Sequence, residues 1–170
     1  MQEVIYRFSG VKRTNINGKL LPSWMWTFCD FAEKEDAVVA LELFKKLGIP
    51  DSGVEYYIQP KVFLVESQNY YEILQSKYYF KSLNEFINSD MMANNIKKLG
   101  INRNEINKLL EEINVTMNNK KQQQKIIERM IRDYQYQIKI NQNLPVDVES
   151  YKENVKFLED LRDGKIELNK

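Results

Sequence analysis

The sequence contains no histidine and only one cysteine, Cys29, among its 170 residues. Without histidine, no side chain has an unperturbed pKa near neutrality, and a serine or cysteine nucleophile lacks its usual general base. One cysteine cannot form an internal disulfide or a thiolate cluster, and a histidine zinc site is impossible. We therefore expect a non-enzymatic protein with no catalytic residues, no metal site and no cofactor. A reducing compartment fits this cysteine usage, and the cytoplasm is the default location.

Long apolar runs and nucleotide-binding motifs are also missing. No stretch approaches the roughly 20 apolar residues of a membrane-spanning helix, so we expect no membrane partner. The sequence has no P-loop, no dinucleotide fingerprint and no nucleophile elbow. The formal net charge of +1 does not identify a partner either, which leaves the local distribution of charge as the informative signal.

The first 66 residues carry the patterns of a small antiparallel sheet covered by one helix. Residues 4–9 alternate as a half-buried strand does, and Asn17-Gly18 favours a tight hairpin turn because both residues tolerate positive φ. The second arm, residues 20–31, is apolar on both faces, so we expect both faces to be covered. Residues 33–47 then have a helical period, with Gly48 and Pro50 as a stop signal.

Further strand patterns occur at residues 54–58 and 62–65. Pro60 lies between them and cannot donate a hydrogen bond to a ladder, which indicates an edge strand, a bulge or a break into two strands.

Helical periodicity replaces strand alternation after Glu66, and we expect no further strand. One or two helices are predicted between residues 69 and 88, and a short helix from about residue 90 to Gly100. A long helix is predicted from about residue 105 to 140, and a last helix over about residues 147–163. The predicted fold class is α+β, with a small subdomain at residues 1–66 and a helical subdomain at residues 67–170.

The long helix has a coiled-coil type of seam, in which apolar residues recur at spacings of three and four if Lys120 and Gln124 count as polar seam positions. We expect this seam to pack against the last helix, as a helical hairpin or coiled coil. The polar tract 118–124 leaves open whether the long helix bends or breaks there. The seam consists of Ile106, Leu110, Ile113, Met117, Ile127, Ile131, Tyr134 and Ile138.

Basic residues recur on the side of the long helix opposite its seam, at about 100° per residue. Such a row can lie along phosphates, with a tyrosine offered for stacking, although an ordinary solvated helix face has the same pattern. The residues predicted to contact nucleic acid or another partner are Lys121, Lys125, Arg129, Arg132, Tyr136 and Lys139.

Residues 96–110 resemble part of a helix-turn-helix, because Gly100 permits the turn and apolar residues follow at the packing positions. The small residue usual four positions before the glycine is replaced by Ile96, and an ordinary helical corner has the same pattern. If the segment did bind DNA, the side chains facing the groove would be Asn102, Arg103, Asn104, Asn107 and Lys108.

Three hypotheses follow for the function. The first is a small binding or regulatory protein that docks on a protein or a protein–nucleic-acid complex through its helical region and the basic residues. An inhibitor of a host machine, encoded by a phage or another mobile element, belongs to this class. The second is a DNA-binding transcriptional regulator that uses residues 96–110. The third is a structural coiled-coil oligomer, for example a homodimer, whose seam pairs with another copy.

Overall fold

The computed structural model describes residues 1–49 and 53–168, so the stop signal at Pro50 lies outside the described residues. These residues fall into two compact units, Met1–Asn114 and Val115–Lys170. The proposed subdomain boundary at residue 66 rests on sequence pattern and stays a prediction. The elements are β1 (Gln2–Ile16), β2 (Lys19–Phe31), α1 (Lys34–Leu47), β3 (Glu55–Leu64), α2 (Gln68–Gln75), β4 (Tyr79–Phe80), α3 (Leu83–Ile87), α4 (Asp90–Leu99), α5 (Arg103–Asn141) and α6 (Glu149–Arg162).

The first unit contains a sheet with strand order β3-β1-β2-β4, in which β1 pairs antiparallel with both β2 and β3. Pro60 lies inside β3, which is an edge strand, as one of the sequence alternatives required. The expected hairpin turn is confirmed, because Asn17 and Gly18 have φ values of 52° and 80°. The α+β fold class is therefore confirmed.

The prediction that no strand follows residue 66 is wrong, because β4 pairs parallel with the end of β2. Two backbone bonds hold it there: Asp30 N–H donates to Tyr78 O over 2.8 Å, and Ala32 N–H donates to Phe80 O over 3.1 Å. A strand of two residues is too short to show a period of two, so the pattern around it indicated helix instead.

Helix α1 covers one face of the sheet through a cluster of aromatic rings. Phe8 of β1 lies 4.9 Å, centroid to centroid, from both Phe28 and Phe44, and Phe44 lies 6.0 Å from Phe86 of α3. Phe8, Phe44 and Phe86 are almost completely buried. Edge-to-face and tilted contacts of this kind add to the hydrophobic stabilisation of the core.

The expectation that both faces of β2 are covered is wrong for its first half. Pairing between β1 and β3 ends at Val11 and Glu55, so beyond this point β1 has only β2 as a neighbour. Side chains on both faces are consequently exposed there, including Leu20 at 66% on one face and Trp24 at 61% on the other.

Helix α5 begins after a helical corner and continues without a break. Gly100 caps α4 in the left-handed conformation, and α5 then runs unbroken through the tract 118–124, where the sequence left a bend or break open. Ile106 and Ile113 are buried in the first unit. The predicted limits of this helix were about 105 and 140, and the structure gives Arg103 and Asn141.

In the second unit, α6 packs against the seam of α5, as predicted. Ile131 and Leu158 are 5% and 6% exposed, and the rings of Tyr134 and Tyr151 lie 5.9 Å apart. These contacts take up the apolar stripe of both helices within one chain.

Candidate functional site

The six residues predicted on the long helix lie on one uninterrupted stretch of α5, in the second unit. All six side chains are exposed, and Tyr136 is 61% exposed. We call this set the α5 basic face: Lys121, Lys125, Arg129, Arg132, Tyr136 and Lys139. Because Ile131 and Tyr134 on the opposite side of the helix pack against α6, the α5 basic face points away from the seam.

Four of the five cations of the α5 basic face have no ion-pair partner among the described residues. In the described part of the chain, Lys125, Arg129, Arg132 and Lys139 form no salt bridge. The ion pairs of α6 and the segment after it use other cations: Lys152 with Glu149, Arg162 with Asp163, and Lys165 with Asp160. A row of unpaired positive charge on one helix face attracts polyanions.

The acids nearest to the α5 basic face in sequence are Glu128 and Asp133, which lie to either side of it. The pKa of Arg162 is raised, first by its hydrogen bond to Asp163 and to a smaller extent by the charge of Glu128.

The five residues proposed for a recognition helix are placed at the start of α5, where two of them already have structural roles. The Asn102 side chain accepts from Glu105 N–H at 3.0 Å, and Glu105 accepts from Asn102 N–H at 2.9 Å. This reciprocal pair is a capping box. Arg103 donates to the Asn88 side chain at 3.0 Å. The remaining three, Asn104, Asn107 and Lys108, are exposed to solvent.

An open pocket of about 1030 Å³ in the first unit is lined in part by Arg7 and Asp30, which form an ion pair. Arg7 Nε donates to Asp30 Oδ1 over 2.9 Å, and Arg7 Nη2 donates to Oδ2 over 3.4 Å. The hydrogen bond to Asp30 raises the pKa of Arg7. The two hydrogen bonds join Arg7 of β1 to Asp30 of β2, which is its cross-strand partner.

The described ranges contain a buried cysteine and no cluster of side chains suited to a metal ion. The Cys29 thiol is buried, and burial raises its pKa well above the usual range, which keeps it protonated and unreactive. Within residues 1–49 and 53–168, no three acidic or cysteine side chains are placed to hold a metal ion. Over the same residues, no helix combines the length and apolarity needed to cross a membrane.

Sequence reasoning missed one exposed surface, at the far end of the β1–β2 hairpin. Trp24 there is 61% exposed, and its ring lies 5.9 Å from that of Trp26. The available signal was the absence of any acid from Phe8 to Cys29, a stretch that contains three cations. The strand pattern alone indicated a covered face, because it does not show where β3 ends.

Comparison with known proteins finds no matching family model, no similar curated protein and no similar solved structure. The chemistry of the exposed surfaces is therefore the basis for inferring what this chain binds.

Proposed function

We propose that this chain is a non-enzymatic binding protein that docks on a protein–nucleic-acid complex, with the α5 basic face lying along nucleic-acid phosphates. The observation that carries the proposal is the row of exposed, unpaired cations at Lys125, Arg129, Arg132 and Lys139. The acids nearest in sequence, Glu128 and Asp133, lie to either side of this row and not within it.

The spacing of these residues suits a polymer of phosphates better than a single anion. On an α-helix, residues three or four apart lie about 5–6 Å from each other, so the cations form a line and not a cluster. Tyr136, exposed within this line, offers a ring for stacking on a base. An acidic protein surface would also attract the cations, and a labelled carboxylate polymer distinguishes that partner from nucleic acid.

The helix-turn-helix alternative receives less support from the geometry. Asn102 is engaged in capping α5 and Arg103 in a bond to Asn88, so two of the five proposed base-reading side chains are occupied. A base-reading side chain must be able to reach the groove, which these two could do only after giving up those bonds.

The test is a salt titration of binding to fluorescein-labelled oligo(dT), oligo(U) and duplex DNA, measured by anisotropy. The variant Lys125→Glu, Arg129→Glu, Arg132→Glu should bind more weakly. Its slope of log K against log salt should be smaller by about two on single strands, since each lost phosphate contact removes about 0.7. Binding equal to that of the unmodified protein would refute the proposal.

A matched control reverses three exposed cations of the first unit: Lys81→Glu, Lys97→Glu, Lys98→Glu. This control has the same net charge as the α5 variant, so equal loss in both variants would show a general charge effect and not a site. A labelled polyglutamate serves as the carboxylate probe. If the protein binds polyglutamate and no nucleic acid, an acidic protein is the partner and the nucleic-acid part of the proposal is wrong.

A further inference from the structure

The far end of the β1–β2 hairpin forms a separate surface in the first unit. We call residues 12–16 and 19–26 the distal ribbon. Residues 12–16 pair with β2 alone, since β1–β3 pairing stops at Val11 and Glu55. A two-stranded ribbon with exposed apolar side chains gains little stability from its own contacts. We therefore interpret the exposed side chains of the distal ribbon as a binding surface.

The register shows which side chains share a face, because directly opposed residues of an antiparallel pair point the same way. One face, here the ring face, carries Trp24 opposite Lys12, Leu21 opposite Thr14, and Ile16 opposite Lys19; Trp26, opposite Gly10, adjoins it. The reverse face carries Met25 opposite Val11, Pro22 opposite Arg13, and Leu20 opposite Asn15.

Both tryptophans and two of the three cations of the distal ribbon lie on the same face. Lys12 and Lys19 lie on the ring face with both tryptophans. The cation of the reverse face, Arg13, is paired with Glu55, with 3.3 Å between Nε and Oε2. No acidic residue occurs from Phe8 to Cys29 in the sequence. The ring face therefore carries both tryptophans and two lysines, whereas the reverse face carries one arginine among aliphatic side chains.

We propose that the ring face binds unpaired nucleotides of a single-stranded nucleic acid. Bases would stack on Trp24 and Trp26, and phosphates would lie against Lys12 and Lys19. Aromatic rings on a strand with neighbouring cations are the usual means of binding single strands without sequence preference. Duplex DNA hides the faces of its bases, and a second copy of this face would set cation against cation.

This inference goes beyond the α5 basic face, because it uses the other unit and a different type of contact. Phosphate contacts on α5 suit single strands and duplexes alike, whereas stacking on the ribbon requires unpaired bases. The two proposals therefore make different predictions for the same set of probes.

The protein provides its own probe for the ribbon, since its only two tryptophans are Trp24 and Trp26. Titration of the full chain with oligo(dT) and oligo(U) at low salt should quench tryptophan fluorescence, and a blunt duplex should quench it much less. The two oligonucleotides show whether the site prefers DNA or RNA. The variant Trp24→Ala, read out through Trp26, should bind single strands about 5-fold to 150-fold more weakly. Trp24→Phe should recover much of the loss, because it restores a ring.

Leu20→Ala is the matched control, because Leu20 is exposed to a similar extent on the reverse face of the same ribbon. It should leave the affinity for single strands unchanged. Equal weakening by Trp24→Ala and Leu20→Ala would overturn the proposal, since it would mean that binding does not depend on the ring face. No quenching at low salt, or stronger quenching by the duplex, would also overturn it. Circular dichroism of each variant checks that the fold is retained.

The α5 charge-reversal variant separates this proposal from the previous one. Lys125→Glu, Arg129→Glu, Arg132→Glu should lower affinity but leave the quenching at saturation intact, because the ribbon is unaltered. If that variant binds normally while Trp24→Ala does not, the α5 proposal fails and the ribbon proposal stands.

Discussion

Gly10 provides a direct test of the packing between the sheet and the residues that cover it. A Cβ added at this position would lie 2.9 Å from Val54 Cγ1 and 3.0 Å from Phe28 Cε2. Both distances are shorter than an ordinary carbon–carbon contact. Phe28 is constrained, because its ring also contacts the ring of Phe44 at 5.3 Å. Glycine is therefore required here by close approach and not by an unusual backbone angle.

Gly10→Ala should lower the free energy of unfolding by about 1–2 kcal/mol. Overpacking a core by one carbon costs about 1–3 kcal/mol, and the loss of backbone freedom in the unfolded chain returns about 0.4–1 kcal/mol. Urea denaturation followed by circular dichroism measures the difference. Val54→Ala removes one of the two clashing atoms, so the double variant should be more stable than the sum of the single effects predicts, by about 0.5 kcal/mol or more.

Gly18→Ala is the control for this experiment. Nothing lies within 4 Å of a Cβ at Gly18, whose φ is +80°. It should cost roughly 1 kcal/mol through backbone strain, and Val54→Ala should not relieve that cost. If Gly10→Ala is neutral, or if its effect adds simply to that of Val54→Ala, the close approach inferred at Gly10 is incorrect.

Three further substitutions test other contacts by urea denaturation or by amide hydrogen exchange. Asn102→Ala removes the cap of α5 and should cost about 1 kcal/mol, whereas an unchanged stability would contradict the capping box. Arg7→Met leaves the largely buried Asp30 carboxylate without its partner and should lower the free energy of unfolding by about 1–3 kcal/mol. A loss below about 0.5 kcal/mol, the size typical of an exposed ion pair, would mean that the pair is solvated. Leu158→Ala should lower the free energy of unfolding by about 2 kcal/mol, which is near the low end for a buried leucine because its surroundings can relax. Amide hydrogen exchange should become about 30-fold faster in α6 and stay unchanged in β1. Ile126→Ala, at a position 58% exposed on α5, is its control and should leave exchange in α6 unchanged.

The parts of the fold that could be predicted from sequence are those with a complete local signal. The hairpin turn at Asn17-Gly18 needs only two residues that tolerate positive φ, and both residues adopt positive φ in the structure. Helix α5 has a seam sustained over many turns, so its limits were predicted within two residues. The α5 basic face could be predicted from the same period, because the positions of the seam residues determine which side chains lie on the opposite side of the helix.

The parts that could not be predicted depend on long-range pairing. Strand β4 exists because Tyr79 and Phe80 meet the end of β2, and two residues carry no period of their own. The exposure of Trp24 depends on β3 ending opposite Val11, which no pattern within β2 encodes. Likewise, sequence alone cannot show that Arg129 is unpaired, because the ion pairs that α6 forms depend on how it packs.

The packing of α6 on the seam also bears on the coiled-coil oligomer hypothesis. A homodimer through this seam would have to displace α6 from Ile131, which is 5% exposed. An intramolecular partner is always present, whereas a second copy must be recruited from solution at a cost in translational and rotational freedom. We therefore expect a monomer mass at micromolar concentration by sedimentation equilibrium. Ile131→Asp should leave that mass unchanged and lower the helical content, since it buries an unpaired charge between α5 and α6. A native mass of twice the monomer that falls to the monomer value in Ile131→Asp, with helical content retained, would show instead that the seam pairs two chains.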